Sequence, residues 1–145
     1  MKSLTDAKGI RENSKGDWDG NGRIEGVPSE VENLKRDLYA AIQQYARTVS
    51  GTPVAFTPDG YPYWYADTNG NGKIDKEEFR PDNGFKAFTP RLQQAIYNYT
   101  FVLRDPGAAC HNGSYAAQLL YDSIESLASS GKIEASIKGK TRPAP

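Results

Sequence analysis

The chain is poor in cysteine, histidine and methionine, with one of each in 145 residues, and each scarcity closes off a class of function. A single Cys110 excludes an internal disulfide and leaves the redox compartment unmarked. It also excludes a covalent c-type haem on this chain. Cys110-His111 reads as the second half of a haem-attachment motif, but the position three residues earlier, where the other cysteine would stand, is Gly107. A lone methionine, Met1, argues against the Met-rich groove that calcium sensors open when the ion arrives. Neither charge sign is in excess, with 18 Lys+Arg against 18 Asp+Glu, so the basic surplus of a nucleic-acid binder is missing. No apolar run approaches a membrane span, and the N-terminal stretch has no apolar signal core, so export is not encoded within it. There is no phosphate-binding glycine loop, no nucleophile elbow and no acid–base carboxylate pair outside the acidic loops described next. The reading is therefore of a protein that is not an enzyme.

What is present, twice, is the front half of an EF-hand calcium loop. Asp17-Trp18-Asp19-Gly20-Asn21-Gly22-Arg23-Ile24 and Asp67-Thr68-Asn69-Gly70-Asn71-Gly72-Lys73-Ile74 read almost identically. Oxygen side chains stand at positions 1, 3 and 5, a glycine takes the sharp turn at 6, and a carbonyl is offered at 7. The second loop is complete. Asp67, Asn69 and Asn71 supply side-chain oxygens, Lys73 its carbonyl, Asp75 a water-mediated contact and Glu78 the bidentate carboxylate of position 12. In the first loop position 12 is Pro28, which has no oxygen to offer. The closing carboxylate is then expected two residues late, at Glu30, completing a set of Asp17, Asp19, Asn21 and the Arg23 carbonyl, with Glu25 assisting. Without a cation the clustered carboxylates Asp17, Asp19 and Glu30 would repel one another. Asparagine at three of the four slots at positions 3 and 5 lowers the charge count. That predicts two structural Ca2+ ions of moderate to weak affinity, on the order of 10⁻⁴ M, the range of extracellular modules. Two such ions would make the neutral chain net positive. Isoleucine at position 8 of both loops predicts that they meet through a short β-bridge, Ile24 to Ile74.

At this length the chain fits one domain. Residues 1–16 lack periodicity and read as a loose lead-in, residues 17–131 as a calcium-binding helical domain, and residues 132–145 as a basic, disordered tail. Ser29 and Glu32 make a capping box that predicts a helix from about residue 30, with Val31, Leu34, Leu38, Ile42, Tyr45 and Val49 at helical spacing to the stop at Ser50-Gly51. Residues 52–66 carry a Pro58-Asp59-Gly60 turn between Val54-Ala55-Phe56 and Tyr61, Tyr63 and Tyr65, which predicts an aromatic-rich extended hairpin. The exit of the second loop, Asp75 to Arg80, reads as one or two helical turns ended by Pro81. Thr89-Pro90 caps a second long helix through Leu103. A third, signalled at Asp105-Pro106, starts properly near Asn112 and ends at Ser129-Ser130-Gly131. The fold class is thus mainly α: three long helices, two EF-hand-like loops paired by a β-bridge, and an extended hairpin.

Adjacent residues on a helix diverge by about 100°, so Cys110 and His111 do not make a catalytic pair. A partly buried thiol and a hydrogen-bonded imidazole are the expectation, with His111 the candidate haem ligand or contact toward a partner. The Tyr61, Tyr63, Trp64 and Tyr65 run reads first as core packing beside the loops. Its alternative is a sugar-stacking platform, which would make the chain a secreted calcium-dependent adhesion or carbohydrate-binding module.

Residues 17–128 also carry a resemblance. The run Asp17 to Gly22 followed by Glu25-Gly26, Leu38-Tyr39-Ala40-Ala41-Ile42, Tyr61-Pro62-Tyr63, the Asp67–Asp75 loop and Thr89-Pro90-Arg91-Leu92 resembles a domain at the C-terminal end of some bacterial multihaem c-type cytochromes. So do Ala95-Ile96-Tyr97-Asn98-Tyr99, Asp105-Pro106-Gly107-Ala108, His111-Asn112 and, most specifically, Gln118-Leu119-Leu120-Tyr121-Asp122-Ser123-Ile124-Glu125. The resemblance implies an exported domain, periplasmic or at the outer cell surface, that accompanies haem-bearing segments in electron transfer. With no attachment motif of its own, it would serve as scaffold, docking surface or cap. Its partner would be a multihaem cytochrome, with no nucleic acid and no membrane insertion.

Overall fold

The computed structural model describes residues 16–144 except Pro106, and Ala109 by its backbone only. Residues 1–15, most of the expected lead-in, lie outside it. In chain order the elements are α1 (Val27–Tyr45), continued by a π-helical turn (Ala46–Ser50), then β1 (Val54–Phe56), β2 (Trp64–Ala66) and a 3-10 turn (Pro81–Asn83). They are followed by α2 (Pro90–Leu103), the single-turn α3 (Ala108–His111) and α4 (Gly113–Ala128). None of the described helices is long and apolar enough to cross a membrane.

The three long helices form because apolar side chains recur at intervals of three and four, which lines one face of each. On α1 that face is Val27, Val31, Leu34, Leu38, Ile42 and Tyr45. It packs on both α2 and α4, which also pack on each other. Leu34, Leu38, Leu92, Leu120 and Leu127 are fully buried at the centre, each contributing roughly 1.5–3 kcal/mol of hydrophobic stabilisation. Gly51 at φ 78° ends the α1 segment in the left-handed conformation. Thr89 caps α2, its side chain accepting from the Leu92 amide at 3.2 Å. Asn112 breaks the chain between α3 and α4, so the third long helix begins at Gly113, next to the Asn112 start that the sequence suggests. A Cβ at Gly113 would run into Val27 Cγ1, so glycine is what lets the start of α4 close against the start of α1.

The hairpin forms as read, antiparallel with Val54 opposite Ala66 and Phe56 opposite Trp64. Four expectations need correction. The Ser29–Glu32 box is not made: Gly26, extended at φ −63° and ψ 149°, and Pro28 in the first turn start the helix two to three residues earlier, so Ser29 already lies inside it. The Ile24–Ile74 bridge is not made either. The bridge recorded outside the hairpin joins Tyr65 to Gly84, because loop 1 sits on the start of α1 and loop 2 on its far end. Between Glu30 and Gln43 the helix rises about 20 Å, too far for the two loops to touch. The exit of loop 2 is one hydrogen-bonded turn, with the Glu78 and Phe79 amides on the Asp75 carbonyl, before a 3-10 turn at Pro81. Finally, the tail lies along the body. Ile133, Ala135 and Ile137 pack on the core, Pro143 is buried, and Arg142 forks onto Asp122 at 2.8 and 2.9 Å.

Candidate functional site

Loop 1 wraps its backbone amides around its own carboxylates. Asp17 Oδ1 accepts from the amides of Gly20 and Asn21 at 2.9 and 3.1 Å, and its Oδ2 from Gly22 at 2.8 Å. Asp19 Oδ1 accepts from the Asn21 amide, and Asn21 Oδ1 from the Arg23 amide. Glu30, fully buried in the first turn of α1, reaches back to close the loop: its Oε2 accepts from the Asp19 amide at 3.1 Å and its Oε1 from the Glu25 amide at 2.9 Å. One oxygen from each of Asp17, Asp19 and Glu30 lies within 4.8 Å of the others. Two oxygens on one Ca2+ are at most about 5 Å apart, twice the metal–oxygen bond, so this spacing matches one coordination sphere.

Loop 2 repeats the core of this wiring, without a counterpart of the Asn21 amide on Asp17. Asp67 accepts from the Gly70 and Gly72 amides at 3.0 and 2.7 Å, Asn69 Oδ1 from the Asn71 amide, and Asn71 Oδ1 from the Lys73 amide. Glu78 accepts from the Asn69 amide at 3.1 Å and from the Asp75 amide at 2.9 Å, the counterparts of Asp19 and Glu25. Asp75 Oδ2 takes the side-chain amides of Asn69 and Asn71 at 2.7 and 2.8 Å. Asp67 and Glu78 are buried.

The charges fare differently in the two loops. Burial, with the nearby charges of Asp19 and Asp17, pushes the Glu30 carboxyl above its ordinary range against the pull of the Glu25 and Asp19 amides. Burial and the Asp17 charge raise Asp19 against its bond from Asn33. Asp17 is the exception, because the amides around it outweigh burial and hold it low. In loop 2 burial again pushes Glu78 up, but the amides of Asp75 and Asn69 and the Thr68 hydroxyl prevail and hold it low. Thus loop 1 concentrates negative charge that its own hydrogen bonds do not neutralise.

Three supports are not visible from the loop motifs. Asn33, one turn beyond Glu30 on α1, donates to Asp19 Oδ2 at 2.6 Å and to Glu25 Oε2 at 3.4 Å. Lys140, from the tail, donates to the Asp19 carbonyl at 3.0 Å and pairs with Asp37 at 2.9 Å. Gln43, near the end of α1, donates to the Gly72 carbonyl at 3.1 Å and to Val54 at 3.3 Å. Helical spacing from Glu30 would have singled out Asn33, whereas nothing local marks the other two.

The remaining candidates lie away from the loops. His111 is exposed, its Nε2 3.3 Å from Asp105 Oδ1. Cys110 is exposed rather than partly buried. Trp64 and Tyr65 are core residues, Trp64 donating to Thr100 Oγ1 at 3.1 Å, while Tyr61 is 84% exposed. The four rings therefore do not form one sugar-stacking platform, since Trp64 and Tyr65 are both buried, one on each face of the hairpin.

No family model matches the sequence, and no solved structure does. The chain is 29% identical over 109 residues to the C-type polyheme cytochrome OmcC of Geobacter sulfurreducens, a match covering 70% of this chain and 14% of that protein. The C-type polyheme cytochrome OmcB from two strains of the same species is 27% identical over 107 residues, covering 68% of this chain and 14% of OmcB. Over that stretch the chain is related to bacterial polyhaem cytochromes. The match takes in only a small fraction of these relatives.

Proposed function

We propose that this chain is a calcium-stabilised, non-catalytic structural domain of an exported multihaem-cytochrome electron-transfer system, acting as a scaffold or interaction module at the periplasmic or outer cell surface. The observation that carries the calcium reading is the repeated closure. Glu30 and Glu78 stand at different distances from their first aspartates, yet each takes the amides of the third and ninth loop residues. Turns that merely reverse the chain have no need of a buried glutamate returned to the same two amides. Each loop would hold one Ca2+, through Asp17, Asp19, Asn21, the Arg23 carbonyl and Glu30 in loop 1, and through Asp67, Asn69, Asn71, the Lys73 carbonyl, Glu78 and a water on Asp75 in loop 2. The ions would bring screening charge where loop 1 most needs it. Sites of this strength would stay filled outside a cell and empty in a cytosol, in keeping with an exported domain. The cytochrome association rests on the relatives, and His111, exposed beside Asp105, is the histidine available to a partner's haem.

A thermal melt with calcium and with EDTA, paired with native mass spectrometry, tests the calcium reading. At a calcium concentration about 100-fold above Kd each site adds about 2.7 kcal/mol. For two sites that corresponds to a rise in Tm of roughly 20 °C. Two bound ions and a fall of that size on chelation are expected; no ions and no fall would end the calcium reading.

A further inference from the structure

We propose that the aromatic face centred on Arg104 is the docking surface for the haem-bearing partner, with the exposed edge of a c-type haem against the rings and a propionate carboxylate on the guanidinium. This rests on the cytochrome association proposed above.

The face begins on α2, where Tyr97, Phe101 and Arg104 project from one side at intervals of four and three residues. Tyr97 is 66% and Phe101 47% exposed, and Phe101 meets the half-exposed Tyr115 edge-on at 6.5 Å. With Thr100, these α2 residues line a cleft of about 410 Å³. On the other side of Arg104, Phe56, Pro58, Tyr63 and Leu103 line a second cleft of about 560 Å³. Arg104 borders both, so they form one surface, continued by Tyr61 edge-on to Tyr63 at 6.2 Å. Exposed rings gathered in one place, rather than scattered singly, are the mark of a binding surface.

The charge at the centre narrows the partner. The Arg104 guanidinium stacks 5.3 Å above the Tyr63 ring, and none of the ion pairs among the described residues takes it up. Its neighbour Asp105 is engaged by His111. A stacked guanidinium is poised to fork onto a carboxylate at its edge while its plane and the rings receive a flat apolar surface. A ligand that is large, flat and apolar and carries carboxylates at its rim suits both demands, and a c-type haem is such a group. A second copy of this chain suits them less well, because a two-fold axis through the face would set one Arg104 toward another.

The test uses the full chain in calcium, with a ferric haem peptide released from a c-type cytochrome as the probe. Binding is read by quenching of tryptophan emission, since Trp64 packs against Phe56 just behind the face, with ring centroids 5.3 Å apart. Saturable quenching is expected. Arg104→Glu and Phe101→Ala should each weaken it at least tenfold without lowering Tm, as both side chains are exposed. Phe88→Ala, also exposed but outside the face, should leave it unchanged. A haem peptide esterified at its propionates should bind wild type at least tenfold more weakly than the free-acid peptide does. Quenching that is unsaturable, or equal in all variants, would overturn the proposal. Gel filtration with an intact soluble multihaem cytochrome separates the two ways of failing. A complex retained equally by Arg104→Glu would reject this face and keep the association, whereas no complex with wild type would reject both.

Discussion

Loop 1 and loop 2 share the core of a hydrogen-bond scheme but not a support, and under the proposed calcium reading the difference would divide their dependence on an ion. Loop 2 brings two buried carboxylates, Asp67 and Glu78, and answers them internally. Glu78 accepts from two amides and the Thr68 hydroxyl, and its own carbonyl receives the Asn83 side chain at 2.8 Å. Loop 1 crowds three carboxylates together and leaves Asp19 and Glu30 reluctant to ionise. Its closing glutamate comes from a helix rather than a single turn, and its outer side is covered by the tail. A loop whose charges are met by hydrogen bonds holds its shape alone, whereas one whose charges repel needs a cation. Under the calcium reading proposed above, loop 2 would be the preformed site and loop 1 the conditional one.

The largest effects come from the closing glutamates. In calcium, Glu30→Gln and Glu78→Gln should each abolish one ion by native mass and forfeit about 2.7 kcal/mol at the same 100-fold excess over Kd. Their behaviour in EDTA should differ. Each glutamine turns an NH2 toward one backbone amide and loses that hydrogen bond, a cost of about 1–3 kcal/mol for a buried group. In loop 1 the removal of a repelled charge offsets this cost, whereas in loop 2 nothing does. The metal-free Tm should therefore fall clearly for Glu78→Gln and little or not at all for Glu30→Gln. Equal losses would remove the distinction between the loops.

Acidity probes the same asymmetry. Glu30 and Asp19 are raised when folded, so their contribution to stability is present below the ordinary carboxylate range and is lost as pH rises through their raised values. Asp17 and Glu78 are lowered, so theirs is present above that range and is lost as pH falls through their depressed values. In EDTA, lowering the pH from neutral through the raised values of Glu30 and Asp19 should increase hydrogen-exchange protection at the Gly22 amide, which binds Asp17, and leave the Gly72 amide, which binds Asp67, unchanged. As pH falls further, through the depressed values of Asp17 and Glu78, both loops should lose protection together. Calcium at neutral pH should remove the loop 1 trend. Parallel pH profiles at the two amides would contradict the division.

The hairpin and the three long helices were legible because each rests on neighbours in sequence: a turn signal, apolar periodicity, a threonine before a proline. The return of Glu30 to Asp17 and Asp19 was legible too, since Pro28 has no side-chain oxygen to offer and Glu30 follows at once. What was not legible depends on partners far along the chain. Lys140 meets Asp19 across most of the sequence, and no local pattern predicts such a pairing. The tail did carry a signal. Ile133, Ala135 and Ile137 alternate with Lys132, Glu134, Ser136 and Lys138, the period of an extended segment with one side covered. Its basic charge and terminal position point the other way, toward disorder. At Ser29 a sound local motif lost to a competing one, because Gly26 and Pro28 begin the helix first. The Ile24–Ile74 pairing assumed that loops alike in sequence must meet, which the intervening length of α1 forbids.

The supports give the next comparison, with effects near 1 kcal/mol. Lys140→Ala removes a partly exposed ion pair and the bond to the Asp19 carbonyl, while Gln43→Ala removes the bond to the Gly72 carbonyl. Each is expected to cost about 1 kcal/mol. The consequence should stay local, with exchange at Gly22 quickened roughly 5-fold by the first and exchange at Gly72 by a similar factor in the second. Neither should move the other amide. Crossed effects would mean that α1 transmits strain between the loops and that they are not independent.

The smallest predicted difference isolates the tail from everything else in loop 1. Gly20 and Gly70 occupy the same loop position at φ 77° and 73°, so an alanine at either pays the same left-handed penalty, about 1 kcal/mol. At Gly70 the new Cβ meets nothing within 4 Å. At Gly20 it would come within 3.0 Å of the Gly139 carbonyl carbon and 3.1 Å of the Lys140 amide nitrogen, so the tail backbone must shift. Gly20→Ala should therefore cost more than Gly70→Ala by up to about 1 kcal/mol in the full chain, measured by urea unfolding in calcium. In a chain ending at Gly131 the two costs should become equal, because the three atoms nearest the Gly20 Cβ all belong to the tail. If Gly20→Ala remained costlier after truncation, the difference would belong to loop 1 itself, and the tail would be lying beside the loop without restraining it.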